Sequence, residues 1–415
     1  MPNQRLILVL LCISTIFASC KKSGQQPSHN TGKNLVLTAV EQQKAITDNT
    51  FNFKLFNNLA AANTGGGNLM ISPLSISFAM GMTVNGASGQ TLTAIDSAMQ
   101  FSGFTQDELN TYYNKLITDL PQLDPNTTLS IANSIWYKQG FDVLPAFISA
   151  DSNYYKAEVH ALDFASPTAP QLINNWVSSH TNGKIPTIVN SIPADQVMYL
   201  INALYFKSTW LESFDPNNTK QQPFYLTGAP SVSTDFMTAT VDINSYYDQK
   251  VTVFEMPYSN KKYSMVIVLP QKGETLNDVI PTLNQSQWQT WMSSLKPDKE
   301  PVFIPKFKFS YSADLKDALT AMGMGVAFSD AADFSRLTTA RVKISEVKHK
   351  TFIAVDETGT EAAAVTSVGV VATAAPSVNP NFVVDHPFVF AIREMNSGLI
   401  LFSGIVNNPT LAGDN

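Results

Sequence analysis

The stretch "EVKHKTFIAVDETGTEAAAVT", residues 346–366, decides the fold, and its second half poses the question of what a long run of small side chains does. From residue 362 to residue 380 the chain carries no charge and no aromatic ring. Read as a strand, residues 360–371 separate into two faces, because successive side chains of a strand point to opposite sides. The face that starts at Thr360 is small and uncharged throughout, whereas the other face starts at Glu361, the only charge. Taken alone, the segment favours an edge strand followed by a proline-containing loop.

The rest of the chain mixes helix and strand patterns without strict βαβ alternation, so the predicted class is α+β. From Leu35 onward there is no second linker and no internal repeat, which predicts one domain over residues 35–410. The clearest patterns are a helix face at Phe51, Leu55 and Leu59, a buried strand at 262–270, a half-exposed strand at 306–312, a capped helix at 312–325 and two strands joined by an Asn-Ser-Gly turn at 388–406.

The N-terminus, "MPNQRLILVLLCISTIFASC", predicts a secretory signal over residues 1–19. Its apolar run is too short to span a bilayer as a mature helix, and it ends in small residues directly before Cys20. That ending is typical of a bacterial lipoprotein signal, in which Cys20 is lipidated. An ordinary signal with an incidental cysteine is the alternative. Residues 20–34 then form a polar, flexible tether between lipid and domain.

Composition and motifs exclude several function classes. Hydrophobic residues make up 44% of the chain and the net charge is −6, so a large core is expected and nucleic acid is not an expected partner. Five scattered histidines give no metal-ligand spacing, and no nucleophile elbow, phosphate loop or dinucleotide fingerprint is present. We therefore expect no metal, no cofactor and no enzymatic activity.

The surrounding residues identify the family. Residues 346–366 and "FVVDHPFVFAIREMNSGLILFSGIVNNP" (382–409) closely resemble the hinge and C-terminal signature of the serpins, the serine protease inhibitors. The resemblance continues, in the expected order, at 68–91, 133–147, 173–189 and 200–216. It implies the serpin fold, with about nine helices, three β-sheets and an exposed reactive-centre loop near the C-terminus.

The resemblance also implies a mechanism. A target protease attacks one bond of the exposed loop, and the freed loop inserts as a new strand of the main sheet, which traps the protease covalently. Insertion of this family's loop is itself an established example of strand addition and of the release of stored strain. Insertion explains the two faces: Thr360 would enter first, followed by Ala362, Ala364 and Thr366, while Glu361 would stay outside in solvent.

Family positions carry over residue by residue. The hinge comprises Glu357, Gly359, Thr360, Glu361, Ala362, Ala363, Ala364 and Thr366, in which Gly359 is expected to supply backbone freedom. A polar "shutter" beneath the main sheet comprises Ser72, Ser75, Asn202 and His349, and Trp210 matches the "breach" tryptophan where insertion begins. The same residues would also suit ordinary buried packing.

The attacked bond is placed at Thr373–Ala374 by the family's usual spacing from Glu357, with Val371–Ala372 and Ala372–Thr373 as neighbouring alternatives. Counting back from Pro387 instead lands nearer Pro376, so the loop is a few residues longer than usual in the family. Each of these bonds would present a small, uncharged residue to the primary specificity pocket of the protease. The resemblance therefore favours elastase-like or subtilisin-like serine proteases as targets, with papain-like cysteine proteases as another option.

A non-inhibitory serpin-fold binding protein and a lipoprotein scaffold remain the competing interpretations. Residues 104–120 carry no basic cluster, so heparin is not an expected partner, and the chain is expected to be a monomer.

Replacing the predicted lipidation site tests the interpretation of the N-terminus. Cys20→Ser removes the thiol that would carry the lipid, so the protein should move from the membrane fraction to the soluble fraction. Fractionation of cells expressing parent and variant measures this shift. A variant that stays with membranes as the parent does would contradict lipidation at Cys20.

Overall fold

Helices and strands alternate irregularly along the computed structural model, which describes residues 32–361 and 379–413. Nine α-helices occur in these residues: α1 (Ala39–Ala62), α2 (Pro73–Gly86), α3 (Gly89–Ala98), α4 (Gln106–Asp119), α5 (Pro145–Tyr154), α6 (Ala169–His180), α7 (Leu276–Val279), α8 (Gln285–Ser294) and α9 (Lys316–Leu319). Short 3₁₀ or π turns lie at Leu120–Gln122, Pro216–Asn218, Ile280–Thr282, Thr320–Met324, Gly325–Phe328 and Pro380–Phe382.

The described strands number fourteen. They are β1 (Leu69–Ile71), β2 (Thr128–Lys138), β3 (Glu158–Leu162), β4 (Met198–Thr209), β5 (Lys220–Phe224), β6 (Val232–Tyr247), β7 (Val251–Pro257), β8 (Tyr263–Pro270), β9 (Lys296–Pro305), β10 (Phe307–Asp314), β11 (Lys348–Val355), β12 (Gly359–Thr360), β13 (Phe388–Glu394) and β14 (Ile400–Val406).

Hydrogen bonding joins the described strands into two sheets, where the family resemblance implied three. One sheet has six strands in the order β10-β11-β12-β4-β2-β3. The other has eight, in the order β1-β14-β13-β8-β7-β6-β5, with β9 also paired to β6. The long strand β6 explains the difference, because it pairs with β9 along one edge and with β5 and then β7 along the other. It thereby connects strands that would otherwise form separate sheets.

The six-stranded sheet has a different core on each face. The main core takes the side chains of Leu204 and Phe206 from β4 and of Ile353 and Val355 from β11. The opposite face carries a smaller core, in which α6 covers the middle of the sheet. Alternation along β4 places Tyr199, Ile201 and Ala203 in that smaller core.

Most local patterns form the predicted elements. Phe51, Leu55 and Leu59 lie buried on α1. Every residue of β8 is buried, β10 alternates as predicted between Phe307 and Lys308, and β13 and β14 form the C-terminal pair. No helix among the described residues is both long and apolar enough to cross a membrane.

The helix predicted over residues 312–325 is wrong in its extent. Ser312 and Asp314 instead pair with Lys350 and Lys348 in the β10–β11 ladder. The α-helix covers only Lys316–Leu319, and no side chain caps it at Leu315. The strand ladder satisfies the backbone groups that the predicted cap would have used. The predicted stop is present, since Gly323 adopts a φ of 103°.

Candidate functional site

The two-residue strand β12 marks the site, because it lies between β4 and β11 at one end of the six-stranded sheet. Gly359 pairs with Thr209, and Thr360 pairs with both Ser208 of β4 and Val355 of β11. The resemblance implied that Thr360 enters the sheet after loop cleavage, but the intact chain already holds it there. In the described residues β4 and β11 are otherwise not hydrogen-bonded neighbours. We call the space between these two strands, beyond β12, the β4–β11 gap.

Trp210 and Tyr258 fix the position of β12. The backbone N–H of Trp210 donates to the carbonyl of Thr358 at 2.8 Å, and its indole N–H donates to the carbonyl of Asp356 at 2.9 Å. The Trp210 ring stacks on Tyr258, with ring centres 4.6 Å apart and planes inclined by 8°. The hydroxyl groups of Tyr258 and Thr360 are hydrogen-bonded at 2.5 Å, and Thr360 is only 2% exposed. The first core-facing hinge residue is therefore held in the main core.

Gly359 is required by close packing, which corrects the reason given from the sequence. Its φ does not lie in the left-handed region, where glycine is specially favoured. A Cβ added at this position would instead lie 2.0 Å from the carbonyl oxygen of Ser208 and 2.7 Å from the Cα of Thr209. Since both are backbone atoms, a larger residue would push β12 away from β4.

Glu357 anchors the turn that leads into β12. Its carboxylate accepts a hydrogen bond from the Thr219 hydroxyl at 2.7 Å and pairs with the Lys306 ammonium at 2.8 Å. Its carbonyl accepts from the backbone N–H of Phe214 at 2.9 Å. The start of the hinge is thus fixed on three sides, and movement of the hinge must begin after this residue.

Glu361 does not point into solvent, contrary to the expectation. It lies on the predicted outward face, but its side chain is only 3% exposed. Burial is the largest influence on its carboxyl group and raises the pKa, while Tyr205 and Lys184 act in the opposite direction. The Lys184 ammonium is 3.6 Å from Oε1, and residues after α6 cover this face. Its φ of 55° also turns the chain out of strand geometry directly after Thr360.

A cavity of about 500 Å³ reaches under the β4–β11 gap, and all four predicted shutter residues line it. Ser72 caps α2 with its hydroxyl, which accepts from the N–H of Ser75 at 3.2 Å and donates to the carbonyl of Leu401 at 2.9 Å. The N–H of Ser72 donates to Nε2 of His349 at 3.0 Å. The structure therefore joins Ser72, Ser75 and His349 directly.

Asn202 lies on the other side of the gap. Its amide nitrogen donates to the carbonyl of Ala132 at 3.2 Å and to Oδ1 of Asn133 at 2.9 Å, both on β2. Its own Oδ1 is buried and has no hydrogen-bond partner within the described part of the chain. A buried acceptor without a donor is costly, so this oxygen is suited to receive a hydroxyl group that enters the gap.

Several predicted residues lie outside the described part of the chain: Cys20, Ala362, Ala363, Ala364, Thr366, Thr373 and Ala374. Their assignments stay predictions. Tyr258 and Lys184 contact Thr360 and Glu361 from distant elements, and neither residue was predicted as part of the site. Neither carries a local sequence signal, because each contact depends on the tertiary structure. Among residues 32–361 and 379–413, no three His, Cys, Asp or Glu side chains are placed to hold a metal ion.

Comparisons with known proteins identify the family of this fold. The sequence model described as "Serpin (serine protease inhibitor)" matches residues 47–409, and the chain belongs to the serpin family. Among curated relatives, bovine leukocyte elastase inhibitor (Bos taurus) is 35% identical over 385 residues, which are 89% of this chain and 100% of the relative. Iripin-2 of the tick Ixodes ricinus is 32% identical, over 90% of this chain and 96% of the relative.

Solved structures give the same family. The thermophilic serpin tengpin in its native state is similar with a TM-score of 0.80 and 33% identity, over 91% of this chain and 96% of tengpin. Human thyroxine-binding globulin, solved as a ligand complex, has a TM-score of 0.81 and 29% identity, over 90% of this chain and 100% of that protein. The name of the bovine relative describes that protein as an elastase inhibitor.

His349 makes the stability of the domain depend on pH. Burial lowers its pKa from 6.5 to about 4. The unfolded chain therefore binds a proton between these values that the folded chain does not, so stability is lost as the pH falls from 7. The expected loss between pH 7 and pH 5 is on the order of 2 kcal/mol. Urea unfolding at the two pH values measures it.

His349→Gln is the matched variant for this measurement. The glutamine oxygen can still accept from the N–H of Ser72, but the side chain does not titrate. The variant should lose most of the difference between pH 7 and pH 5. Equal pH dependence in parent and variant would show that His349 is not the responsible group.

Proposed function

We propose that the protein is an irreversible suicide-substrate inhibitor of serine endopeptidases. In this proposal the protease serine attacks the carbonyl carbon of Thr373, the peptide nitrogen of Ala374 leaves with a proton, and an acyl-enzyme ester forms. The loop on the acyl side then enters the β4–β11 gap as a strand. Movement of the attached protease disrupts its catalytic site, and the ester persists.

The observation that carries this proposal is the register of β12. Continued without change, the register would place residues 361–370 opposite residues 207–198 of β4. The pairing with β11 would likewise place residues 361–367 opposite residues 354–348. The existing bond from the N–H of Glu361 to the carbonyl of Ala354, at 2.7 Å, follows this second register. The chain therefore needs no register change to continue into the gap.

The same register supports a role for Thr366. It would bring Thr366 opposite Asn202 on one side and His349 on the other, all three on the face of the main core. The threonine hydroxyl could then donate to the unpartnered Oδ1 of Asn202. A new hydrogen bond at the shutter would accompany the completed ladder and would favour the inserted state.

Small outward-facing side chains are required as well. In the continued register, Ala363 would lie between Tyr205 of β4 and Phe352 of β11. The Lys184 ammonium already sits 5.0 Å from the Phe352 ring centre, and the Asn182 amide donates to the Tyr205 hydroxyl at 3.4 Å. Alanine adds little volume under this covered surface.

Rates decide whether insertion traps the protease. Each new ladder bond contributes roughly 0.5–1.5 kcal/mol, so a full insertion would be favoured by on the order of ten kcal/mol. Trapping nevertheless competes with hydrolysis of the acyl-enzyme, and about 1.4 kcal/mol in the insertion barrier changes the ratio tenfold. A single unsuitable side chain can therefore turn an inhibitor into a substrate.

Thr360→Arg tests the proposal, because an arginine at this 2% exposed position should displace β12 from the sheet, and insertion must then bury the charge before the residues that follow can pair. Burying that charge, or bending it out, should raise the insertion barrier by more than the 1.4 kcal/mol that shifts the competition tenfold. Mixed with elastase or subtilisin, the parent should give a covalent complex that survives SDS electrophoresis. The variant should give mainly cleaved inhibitor, cut at the same bond.

Glu361→Gln is the control for Thr360→Arg. It keeps the size of a side chain on the opposite face and removes only a charge that is already disfavoured by burial. It should form the covalent complex as the parent does. Undiminished complex formation by Thr360→Arg, or equal loss in both variants, would contradict the assigned role of the core-facing position.

The proposed targets are elastase-like or subtilisin-like proteases, with papain-like cysteine proteases as the second choice. Thr373→Arg should decrease inhibition of elastase by at least tenfold and create inhibition of trypsin, because arginine fits a primary pocket with a buried carboxylate. Association rates with both enzymes, together with the mass of the released loop fragment, measure this. A fragment cut elsewhere with unchanged rates would remove Thr373 from its assigned role.

A ligand carrier is the competing function, since human thyroxine-binding globulin has a similar structure. The uncharged residues that follow Glu361 favour the inhibitor, because every core-facing position up to Thr366 is small. The covalent-complex assay separates the two functions, as a carrier would be cleaved or left intact without forming an SDS-stable adduct.

We propose the cell envelope of a bacterium as the location, with the domain exported and held by a lipid on Cys20. The support comes from the apolar N-terminal run that ends in "FASC" and from the polar tether that follows it. Membrane attachment would keep the inhibitor where extracellular or periplasmic proteases meet the cell.

A further inference from the structure

Glu158, His160 and His180 form a cluster at the edge of the six-stranded sheet, away from the β4–β11 gap. Glu158 and His160 project from the edge strand β3, and His180 ends α6. Nε2 of His160 is 3.4 Å from one carboxylate oxygen of Glu158, and Nε2 of His180 is 3.6 Å from the other. One carboxylate therefore faces two imidazole rings from different elements.

The hydrogen bonds of His180 determine what its protonation does. Nδ1 of His180 lies 2.8 Å from the carbonyl oxygen of Trp176, which can only accept, so Nδ1 carries a proton in this arrangement. In the neutral ring Nε2 then holds a lone pair and faces a carboxylate oxygen. A second proton on Nε2 converts this unfavourable contact into an ion pair. The position in the last turn of α6 also favours a positive charge.

Aromatic rings keep both histidines in place. His160 stacks on Trp136 with ring centres 4.2 Å apart, and His180 lies 4.3 Å from Trp176. The two tryptophans meet edge to face within the smaller core. Aromatic faces attract cations, so the charged rings are favoured by these contacts as well.

Other ionisable groups lie on the elements around this cluster. They are Lys138 on β2, Asp151 and Tyr154 on α5, Lys156 and Asp163 beside β3, and Lys184 after α6. Asp151 accepts from Asn85, Lys156 donates to the carbonyl of Asn153, and Lys184 is directed to Glu361. In the part of the chain that the structure describes, the ion pairs of His160 and His180 are those with Glu158.

The cluster matters because α6 and the residues after it, 181–189, cover the sheet beside the gap. Ile185 and Val189 pack with Tyr199 and Ile201 of β4. Lys184 lies over the ring of Phe352 on β11, so this segment crosses from one side of the gap to the other. A strand that enters the gap must place its outward side chains beneath it.

We propose that Glu158, His160 and His180 form an acid-strengthened clamp that fastens the C-terminal turn of α6 to β3 and slows loop insertion at low pH. Only a charged imidazole attracts the Glu158 carboxylate, so proton binding strengthens the clamp and a rise in pH weakens it. The effect on inhibition rests on the proposed function, whereas the attachment of α6 does not.

Hydrogen exchange tests the attachment without any protease. Amide protection at residues 176–181 is compared in the parent and in Glu158→Gln, after correction for the intrinsic exchange rate at each pH. The parent should be about threefold better protected than the variant at pH 5.5, and the two should agree at pH 8. Asp163→Asn removes a nearby carboxylate that forms no ion pair with a histidine, and its amide protection should match that of the parent at both pH values.

Inhibition of subtilisin at the same pH values provides the second measurement. The ratio of cleaved to complexed inhibitor in the parent, divided by that in Glu158→Gln, should rise about threefold from pH 8 to pH 5.5.

Equal amide protection of parent and variant at pH 5.5, or a difference in protection that is independent of pH, overturns the clamp. A pH-dependent difference in protection with an unchanged ratio overturns its control of insertion. Absence of covalent complex in all proteins at both values overturns the proposed inhibition and leaves the exchange result to decide the clamp.

Discussion

The facing edges of β4 and β11 are the constraint on which the rest of the site depends. A strand edge presents backbone donors and acceptors that gain free energy when a further strand pairs with them. In the described residues only Gly359 and Thr360 fill the space between these edges. The close approach of Gly359 to Ser208, the burial of Thr360 against Tyr258 and the unpartnered oxygen of Asn202 all follow from a sheet that accommodates two residues of a strand and has room for more.

Two different kinds of contact hold the present arrangement. On the core side, Ser72 and His349 connect α2 to β11, so separation of the strands is coupled to a buried polar group that remains neutral. On the outer side, α6 and residues 181–189 rest on β4 and reach β11 through Lys184. Glu361 lies between these layers. Its backbone is turned away from strand geometry, and burial disfavours the charged form of its carboxyl group. Pairing of the chain beyond Thr360 therefore requires a change in both the backbone conformation and the surroundings of Glu361.

The fold was predictable from the sequence wherever one short pattern determines one element. The alternation around Phe307, the fully apolar run of β8 and the turn before β14 each depend on local chemistry, and the family resemblance supplied their order. The prediction failed at Ser312, where pairing with β11 outweighed the local preference for a helix cap. The exposure of Glu361 could not be predicted either, because the residues that cover it come from the segment after α6, far away in sequence. For Gly359 the residue was singled out correctly, but the reason for it, a backbone oxygen 2.0 Å from a missing Cβ, exists only in the folded sheet.

The stack of Trp210 on Tyr258 has an optical consequence. The indole is 3% exposed, it donates to the chain just before β12, and its stacking partner is bonded to Thr360. Any displacement of the hinge leaves the Tyr258 hydroxyl without its partner and changes the polarity at the face of the indole. The emission of this tryptophan is therefore coupled to the position of β12, which gives the protein an intrinsic fluorescent reporter at the point where its sheet opens.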